Sequence, residues 1–112
     1  ELRDLARQVL VAGPLIEAAA DLVLKTHPGH EAAPDEVRRF VRYGSRPRGG
    51  QALLLAAKVR ALLAGRYNVS FDDLRRVARP ALRHRIILGF EGEAEGVTTD
   101  RIVDAVTADL GQ

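Results

Sequence analysis

The chain has 112 residues, of which 46% are hydrophobic and 29% charged, as expected for one globular domain and not for a disordered chain. It contains no cysteine, which excludes disulfides, thiolate metal sites and a cysteine nucleophile. The formal net charge is only +2, but nearly all basic residues are arginine. Arginine suits phosphate recognition and ion pairs, although a GC-rich coding sequence would produce the same bias.

The apolar runs are too short for a membrane span. The longest run covers residues 52–57, far below the length that crosses a bilayer, and no charged-then-apolar leader opens the chain. We therefore expect no membrane partner. Together with the absence of cysteine, these features predict a cytoplasmic location.

Apolar residues recur at spacings of three and four with no sustained alternation, so the sequence predicts an all-α fold, a small bundle of about five to six helices. A short helix is expected over residues 1–11. Pro14 suits the first position of the next helix, which should end near Thr26. Its predicted inner face is Ile16, Ala19, Ala20 and Val23.

The middle of the chain predicts two more helices. Pro34 opens a short one with an acidic first turn, the inner residues Val37, Phe40 and Val41, and an end at Tyr43-Gly44. The next runs over residues 47–63 and stops at Gly65. Its apolar residues cover most of its circumference, so it is predicted to be buried centrally: Leu53, Leu54, Leu55, Ala56, Ala57, Val59, Leu62 and Leu63.

The last third begins with a capping box, in which Ser70 caps a helix and Asp73 reaches back. Pro80 is predicted to separate a helix over residues 71–78 from a second one that it opens. Leu82, Ile86 and Ile87 should face the core there. Glycines 89, 92 and 96 interrupt the chain, and Thr98 or Thr99 caps a final helix with inward residues Ile102, Val103, Val106 and Leu110.

The chain contains no motif for catalysis of its own. It lacks a G-x-x-x-x-G-K-[ST] loop and an H-E-x-x-H pair, and His27, His30 and His84 have no metal-ligand spacing. Glu91, Glu93 and Glu95 alternate with small residues and are predicted to be flexible and solvated. We expect no catalytic residue and no metal site in the chain.

Arg46 and Arg48 lie where a loop becomes a long helix. Helix starts carry partial positive charge, so each cation there costs on the order of 0.3–1 kcal/mol unless an anion approaches. Helix N-termini bind phosphate, and an arginine fork adds two charge-assisted bonds. The alternative is an exposed loop satisfied by water or by glutamates from elsewhere.

A second basic group contains Arg75, Arg76, Arg79, Arg83 and Arg85. Of these, Arg75, Arg79 and Arg83 would align on one face if Pro80 did not break the helix. The group predicts a docking face for an acidic partner, a contact with a nucleic-acid backbone, or a solvated surface paired with Asp72 and Asp73. Aromatic residues for base stacking are scarce, which makes nucleic acid the least favoured of the three.

Four stretches of the sequence carry a family resemblance. They are F-V-R-Y-G-S-R-P-R-G-G-Q-A-L from residue 40, A-A-K-V-R-A-L-L-A-G-R-Y-N-V-S-F-D-D from residue 56, L-R-H-R from residue 82 and F-E-G-E-A-E-G from residue 90. In order and spacing they resemble the C-terminal lid domain of MoxR-type AAA+ ATPases. The resemblance covers most of the chain. It implies a helical lid over residues 13–112, preceded by the tail of an AAA+ core or a linker over residues 1–12.

The Gly-x-Ser-Pro-Arg signature of that family supplies the sensor 2 arginine, which reaches the terminal phosphates of ATP when the lid closes. By resemblance this arginine is Arg48. Arg46 replaces the serine that usually precedes the proline, and is itself a candidate phosphate or interface contact. Ser45 could cap the helix from one position earlier, or the helix start could be distorted.

The resemblance further implies a parent ATPase whose core domain holds ATP and Mg²⁺, while this chain alone is inactive and binds neither tightly. The lid would couple hydrolysis to chaperone-like remodelling or maturation of client proteins. The implied partners are the core domain of the same chain, a homo-oligomeric ring expected to be a hexamer, a von Willebrand factor A domain protein and a client enzyme. The alternative is a small basic helical module that binds nucleic acid or docks to a protein.

Overall fold

A computed structural model describes residues 9–110 of the chain. Within that range it has six helices and two short strands. In chain order they are α1 (Gly13–Lys25), α2 (Asp35–Phe40), β1 (Val41–Tyr43), α3 (Arg48–Leu63), α4 (Phe71–Leu82), β2 (Ile87–Leu88), α5 (Phe90–Ala94) and α6 (Thr99–Thr107). The helix predicted over residues 1–11 lies outside the described residues up to residue 8, and residues 9–11 are not helical.

The prediction of an all-α fold is confirmed for the helices, but the chain is not purely helical. β1 and β2 form a two-stranded antiparallel sheet in which Tyr43 is opposite Ile87. The helix expected to continue through Val41 therefore ends at Phe40, and Ile87, predicted to face the core, is 56% exposed. Strands of two and three residues are too short to produce a recognisable alternation, so the sequence pattern missed them.

The predicted bounds of α1 are confirmed, but its predicted inner face is wrong in part. Ala19 and Val23 are buried as expected, whereas Ile16 and Ala20 are exposed. Each exposed residue follows a buried one, and one step along a helix turns the side chain by about 100°. The buried face is centred on Leu15, Ala19 and Leu22, and the helix carries further apolar surface beside it.

α3 follows its predicted bounds but buries only one face. Gly49, Leu53, Ala57 and Ala61 recur every four residues and are fully buried or nearly so, while Leu55 and Leu63 are exposed. The small residues on this face allow the close packing of α4, the most extensive helix contact within the described chain. The predicted stop at Gly65 is confirmed, with φ of 77° at that residue.

α4 begins with the predicted capping box of Ser70 and Asp73. The predicted break at Pro80 is wrong, because the helix continues through it to Leu82. Pro80 is exposed and lies in the last turn of the helix. Because proline has no N–H, the Arg76 carbonyl lacks its usual helical donor, and at this exposed position it is open to water. Leu82 is completely buried, and this burial favours the extra turn.

The remaining predictions for the C-terminal third of the chain are confirmed in part. Thr98 caps α6, and Ile102, Val103, Val106 and Leu110 are buried as expected. The acidic cluster predicted to be flexible instead contributes to α5, where Glu91 and, just beyond, Glu95 pair with Arg39. None of the helices in residues 9–110 has the length and apolarity needed to cross a membrane.

A buried carboxylate joins the end of α3 to the start of α4. Asp73 is fully buried and accepts two hydrogen bonds of 2.7 Å from the Arg66 guanidinium, while Arg60 lies 3.2 Å from it. Ser70 donates a further backbone bond of 2.9 Å. The bonds from Arg66, against the opposing effect of burial, lower the pKa of Asp73 to about 2.

We expect Asp73→Asn to destabilise the fold in a pH-dependent way. Because the folded pKa lies below the unfolded one, Asp73 stabilises the fold above pH 4 and loses that effect as the pH falls toward 2. The difference in unfolding free energy between wild type and variant should shrink by about 2 kcal/mol between pH 6 and pH 2. Urea unfolding at several pH values measures it. Asp72→Asn, at the exposed neighbour, should show a difference smaller than about 1 kcal/mol at every pH.

Candidate anion-binding site

The segment between β1 and α3 is fixed to the C-terminal end of α1 by buried polar contacts. The Ser45 N–H donates to the Thr26 hydroxyl at 2.8 Å, and that hydroxyl donates to the Val23 carbonyl at 2.6 Å. Thr26 and Ser45 are both fully buried. His27 adds a ring-nitrogen bond of 2.7 Å to the Ser45 carbonyl. The loop that precedes α3 is therefore held on both its N–H and its C=O side.

Two glycines allow this loop to lie so close. A Cβ at Gly44 would approach the Thr26 carbonyl oxygen to 2.5 Å, and a Cβ at Gly49 would overlap the Ser45 hydroxyl. Real side chains do not occupy such positions, so the backbone can approach only at glycine. The contact at Gly44 fixes the loop against the end of α1, and the contact at Gly49 packs the start of α3 against the loop itself.

The start of α3 is a tight turn. Pro47 precedes the helix with helical dihedral angles, and the Gly49 N–H donates to the Arg46 carbonyl at 2.8 Å. Ser45 does not cap the helix. Its hydroxyl donates to the Arg46 carbonyl at 3.0 Å, and the helix has no side-chain cap. Of the two sequence-based alternatives, the structure favours a modified helix start.

Arg46 and Arg48 project from this loop into a cleft of about 630 Å³. The cleft lies between the loop, the C-terminal end of α4 and the small sheet, and no carboxylate of residues 9–110 lines it. Its lining residues are His27, Pro28, Arg42, Tyr43, Gly44, Arg46, Arg48, His84, Arg85 and Ile87.

The arginines of this cleft differ from the others in their surroundings. Within residues 9–110, none of Arg42, Arg46, Arg48 and Arg85 has an ion-pair partner, whereas Arg39, Arg60, Arg66, Arg75, Arg76, Arg79, Arg83 and Arg101 all do. Arg38, outside the cleft, is not ion-paired either and donates to the backbone carbonyls of His30 and Glu31. Four like charges converge on one concave surface without compensation. Such a surface attracts anions and concentrates their field lines. The cleft is thus a candidate anion-binding site.

Three arginines of the second basic group face elsewhere. Because α4 continues through Pro80, Arg75, Arg79 and Arg83 do lie along one face, and that face is turned to α6 and the C-terminal segment. Arg79 pairs with Asp104, whose pKa it lowers, and Arg83 lies 3.1 Å from Asp100. Arg75 donates to the Leu110 carbonyl at 2.6 Å. These contacts are internal to the domain, and docking of a partner here stays a prediction.

The sequence did not associate Arg42, His84 and Arg85 with Arg46 and Arg48. The β1–β2 pairing brings them together, since Tyr43, beside Arg42, is opposite Ile87, two residues after Arg85. No local signal indicates that pairing. Among the described residues, no three His, Asp or Glu side chains come together in a way that could hold a metal ion.

Comparisons with known proteins agree on one family. A family model described as "AAA lid domain" matches residues 33–106. The chain is 26% identical to the chaperone MoxR1 of Mycobacterium tuberculosis over 94% of its own length, and 37% identical to the protein MoxR of Paracoccus denitrificans over 83%. It spans about a quarter of each of these relatives, 28% and 25% respectively.

A solved structure is similar throughout the chain. The crystal structure of a candidate ATPase from Cytophaga hutchinsonii superposes with a TM-score of 0.89 and 29% sequence identity. The match covers 96% of this chain and 33% of the other.

We expect Thr26→Val to destabilise the fold by about 1–3 kcal/mol, because it leaves the buried Ser45 N–H without an acceptor. Thr107→Val is the matched control. Thr107 is also buried, but its hydroxyl only donates, to carbonyls within α6, so its loss should cost less. Thermal and urea unfolding of the two variants provide the measurement. Equal losses would show that the Thr26 bond has no special effect.

Neighbouring glycines should respond oppositely to alanine. Gly49→Ala forces the Ser45 hydroxyl to move and should lower the unfolding free energy, whereas Gly50→Ala meets only an ordinary contact of 3.5 Å with Val23. Since alanine is the better helix former, Gly50→Ala should raise stability by roughly 0.5–1 kcal/mol. Urea unfolding compares the two, and a stabilising Gly49→Ala would contradict the close packing described above.

Proposed function

This chain belongs to the AAA lid domain family, as the lid of a MoxR-like AAA+ ATPase, and we propose that it closes over ATP and senses the terminal phosphate through Arg48. The supporting observation is the cleft that collects four arginines without ion-pair partners among residues 9–110, two of them, Arg46 and Arg48, at a loop held in place by buried hydrogen bonds. Because the chain spans about a quarter of its relatives, the activity of the whole protein is part of this proposal.

Arg48 is the first residue of α3, is exposed, and has no partner within residues 9–110. Its guanidinium is suited to two parallel charge-assisted bonds with phosphate oxygens. When the γ-phosphate is present, these bonds would hold the lid closed. Loss of the phosphate would remove these bonds, so hydrolysis of ATP would release the lid and allow it to move. Arg46, exposed on the same loop, would contact the phosphates or the interface between domains.

The cleft fits the phosphate chain better than the metal. Mg²⁺ prefers carboxylate and water oxygens, and the lining residues include no carboxylate. We therefore assign the Mg²⁺ site and the catalytic groups to an AAA+ core domain. This division explains why the lid would contribute an arginine to ATP turnover without being an enzyme by itself.

Partner contacts would use a second surface, which we call the α1–α3 groove. It is apolar and lies on the other side of Pro47, between α1 and α3, with Ile16 and Leu24 half exposed. Exposed apolar surface of this kind commonly marks an interface. We propose that the core domain or a neighbouring subunit of a ring, expected to be hexameric, covers it. A von Willebrand factor A domain protein and a client enzyme are further proposed partners, for chaperone-like remodelling.

The alternative of a nucleic-acid-binding module has less support. Arg75, Arg79 and Arg83, on which it depends, are engaged within the domain. It predicts duplex DNA binding that weakens steeply with salt, and absence of binding at low salt would remove it.

We expect Arg48→Ala, in the full-length protein that carries this lid, to reduce ATP turnover by about 100-fold, because it removes a positioned cation that stabilises phosphate charge. Folding should be unaffected, since the side chain is exposed and unpaired. Arg76→Ala is the matched control, an exposed arginine of α4 paired with Asp72, and should leave turnover unchanged. Steady-state phosphate release measures both, and wild-type turnover in Arg48→Ala would refute the proposal.

A further inference from the structure

The cleft holds more positive charge than a single phosphate sensor requires. Arg46 and Arg48 belong to the loop before α3 and to its start, whereas Arg42 lies in β1 and Arg85 follows the end of α4. No carboxylate among the described lining residues neutralises these charges. A ligand that relieves the repulsion must therefore carry several negative charges and reach more than one of these elements.

Arg85 is held in place for such a ligand. Its backbone N–H donates to the Leu82 carbonyl at 2.9 Å, and the next residue, Ile86, is buried. Its Nε donates to the Ala81 carbonyl at 3.1 Å, which directs the side chain along the end of α4. The terminal guanidinium nitrogens have no other partner within residues 9–110. The backbone and Nε of Arg85 are therefore anchored while its terminal nitrogens are open, which distinguishes it both from the ion-paired Arg83 and from a freely solvated arginine.

We propose that Arg85 is a second nucleotide-binding residue, which contacts the polyphosphate chain from the end of α4, while Arg48 contacts it from the start of α3. This inference rests on the proposed function, because it assumes that the cleft receives a nucleoside triphosphate. Arg48 lies at the helix start and reads the terminal phosphate, whereas Arg85 contacts phosphates that remain after hydrolysis. Arg85 therefore binds the ground state and the transition state equally, whereas the contribution of Arg48 differs between these two states.

This difference separates the two residues kinetically. In the full-length protein, Arg85→Ala should raise the KM for ATP about tenfold and leave kcat nearly unchanged, as expected for loss of a charged hydrogen bond made throughout the reaction. It should weaken binding of a fluorescent ADP to the same extent. Arg85→Lys, which keeps the charge, should recover most of the affinity. Arg76→Ala serves as the control for removal of an exposed arginine that lies on α4 and outside the cleft.

The outcomes distinguish this inference from the proposal on Arg48. If Arg85→Ala binds both nucleotides like wild type while Arg48→Ala still slows turnover, the role of Arg85 is refuted and the lid function stands. If neither variant changes nucleotide binding or turnover, both fail. If Arg85→Ala changes only the size of the assembly in gel filtration, its partner is a protein surface and the inference is overturned.

Discussion

The hydrogen bond from the Ser45 N–H to the Thr26 hydroxyl determines where the arginine loop meets the helical bundle. It lies in a fully buried environment, and the same hydroxyl donates to the Val23 carbonyl, so its donor and an acceptor site are both used. Breaking the contact would leave an unpaired buried N–H, which costs more than the bond contributes when formed. The end of α1 and the start of α3 are therefore coupled, and Arg48 is exposed on a backbone that is held in place.

Arginines in this chain either form internal ion pairs or stay unpaired, and the residues that face them determine which. Arg79 on α4 and Arg83 just after its end pair with Asp104 and Asp100, four residues apart on α6, and form contacts internal to the domain. In the cleft, the described lining residues are the arginines themselves, two histidines and residues without charge, so the positive charge stays available for a ligand. A compositional bias toward arginine explains how many there are, but not why four of them meet without a carboxylate.

The features predicted correctly from sequence are those that depend on local chemistry. The Ser70–Asp73 capping box, the Thr98 cap and the stop at Gly65 each involve residues within one turn. The hypothesis that Arg46 and Arg48 bind an anion also comes from local chemistry, the helix dipole, and it stays a prediction. The errors are nonlocal. The sheet depends on pairing between distant short strands, and the continuation of α4 through Pro80 depends on the burial of Leu82. Arg85 was therefore grouped with α4 instead of the cleft.

The error in the predicted inner face of α1 also has a nonlocal cause. Ile16 and Ala20 fit a helical apolar stripe, and the core of this domain covers only the part of α1 that faces α3, α6 and the rest of the bundle. The apolar surface that remains uncovered adjoins Pro47, so the α1–α3 groove and the basic cleft lie on opposite sides of one loop. A contact made in the groove and an anion bound in the cleft would act on the same fixed segment. Such an arrangement allows phosphate loss on one side to change the orientation of a neighbour on the other without any rearrangement of the core.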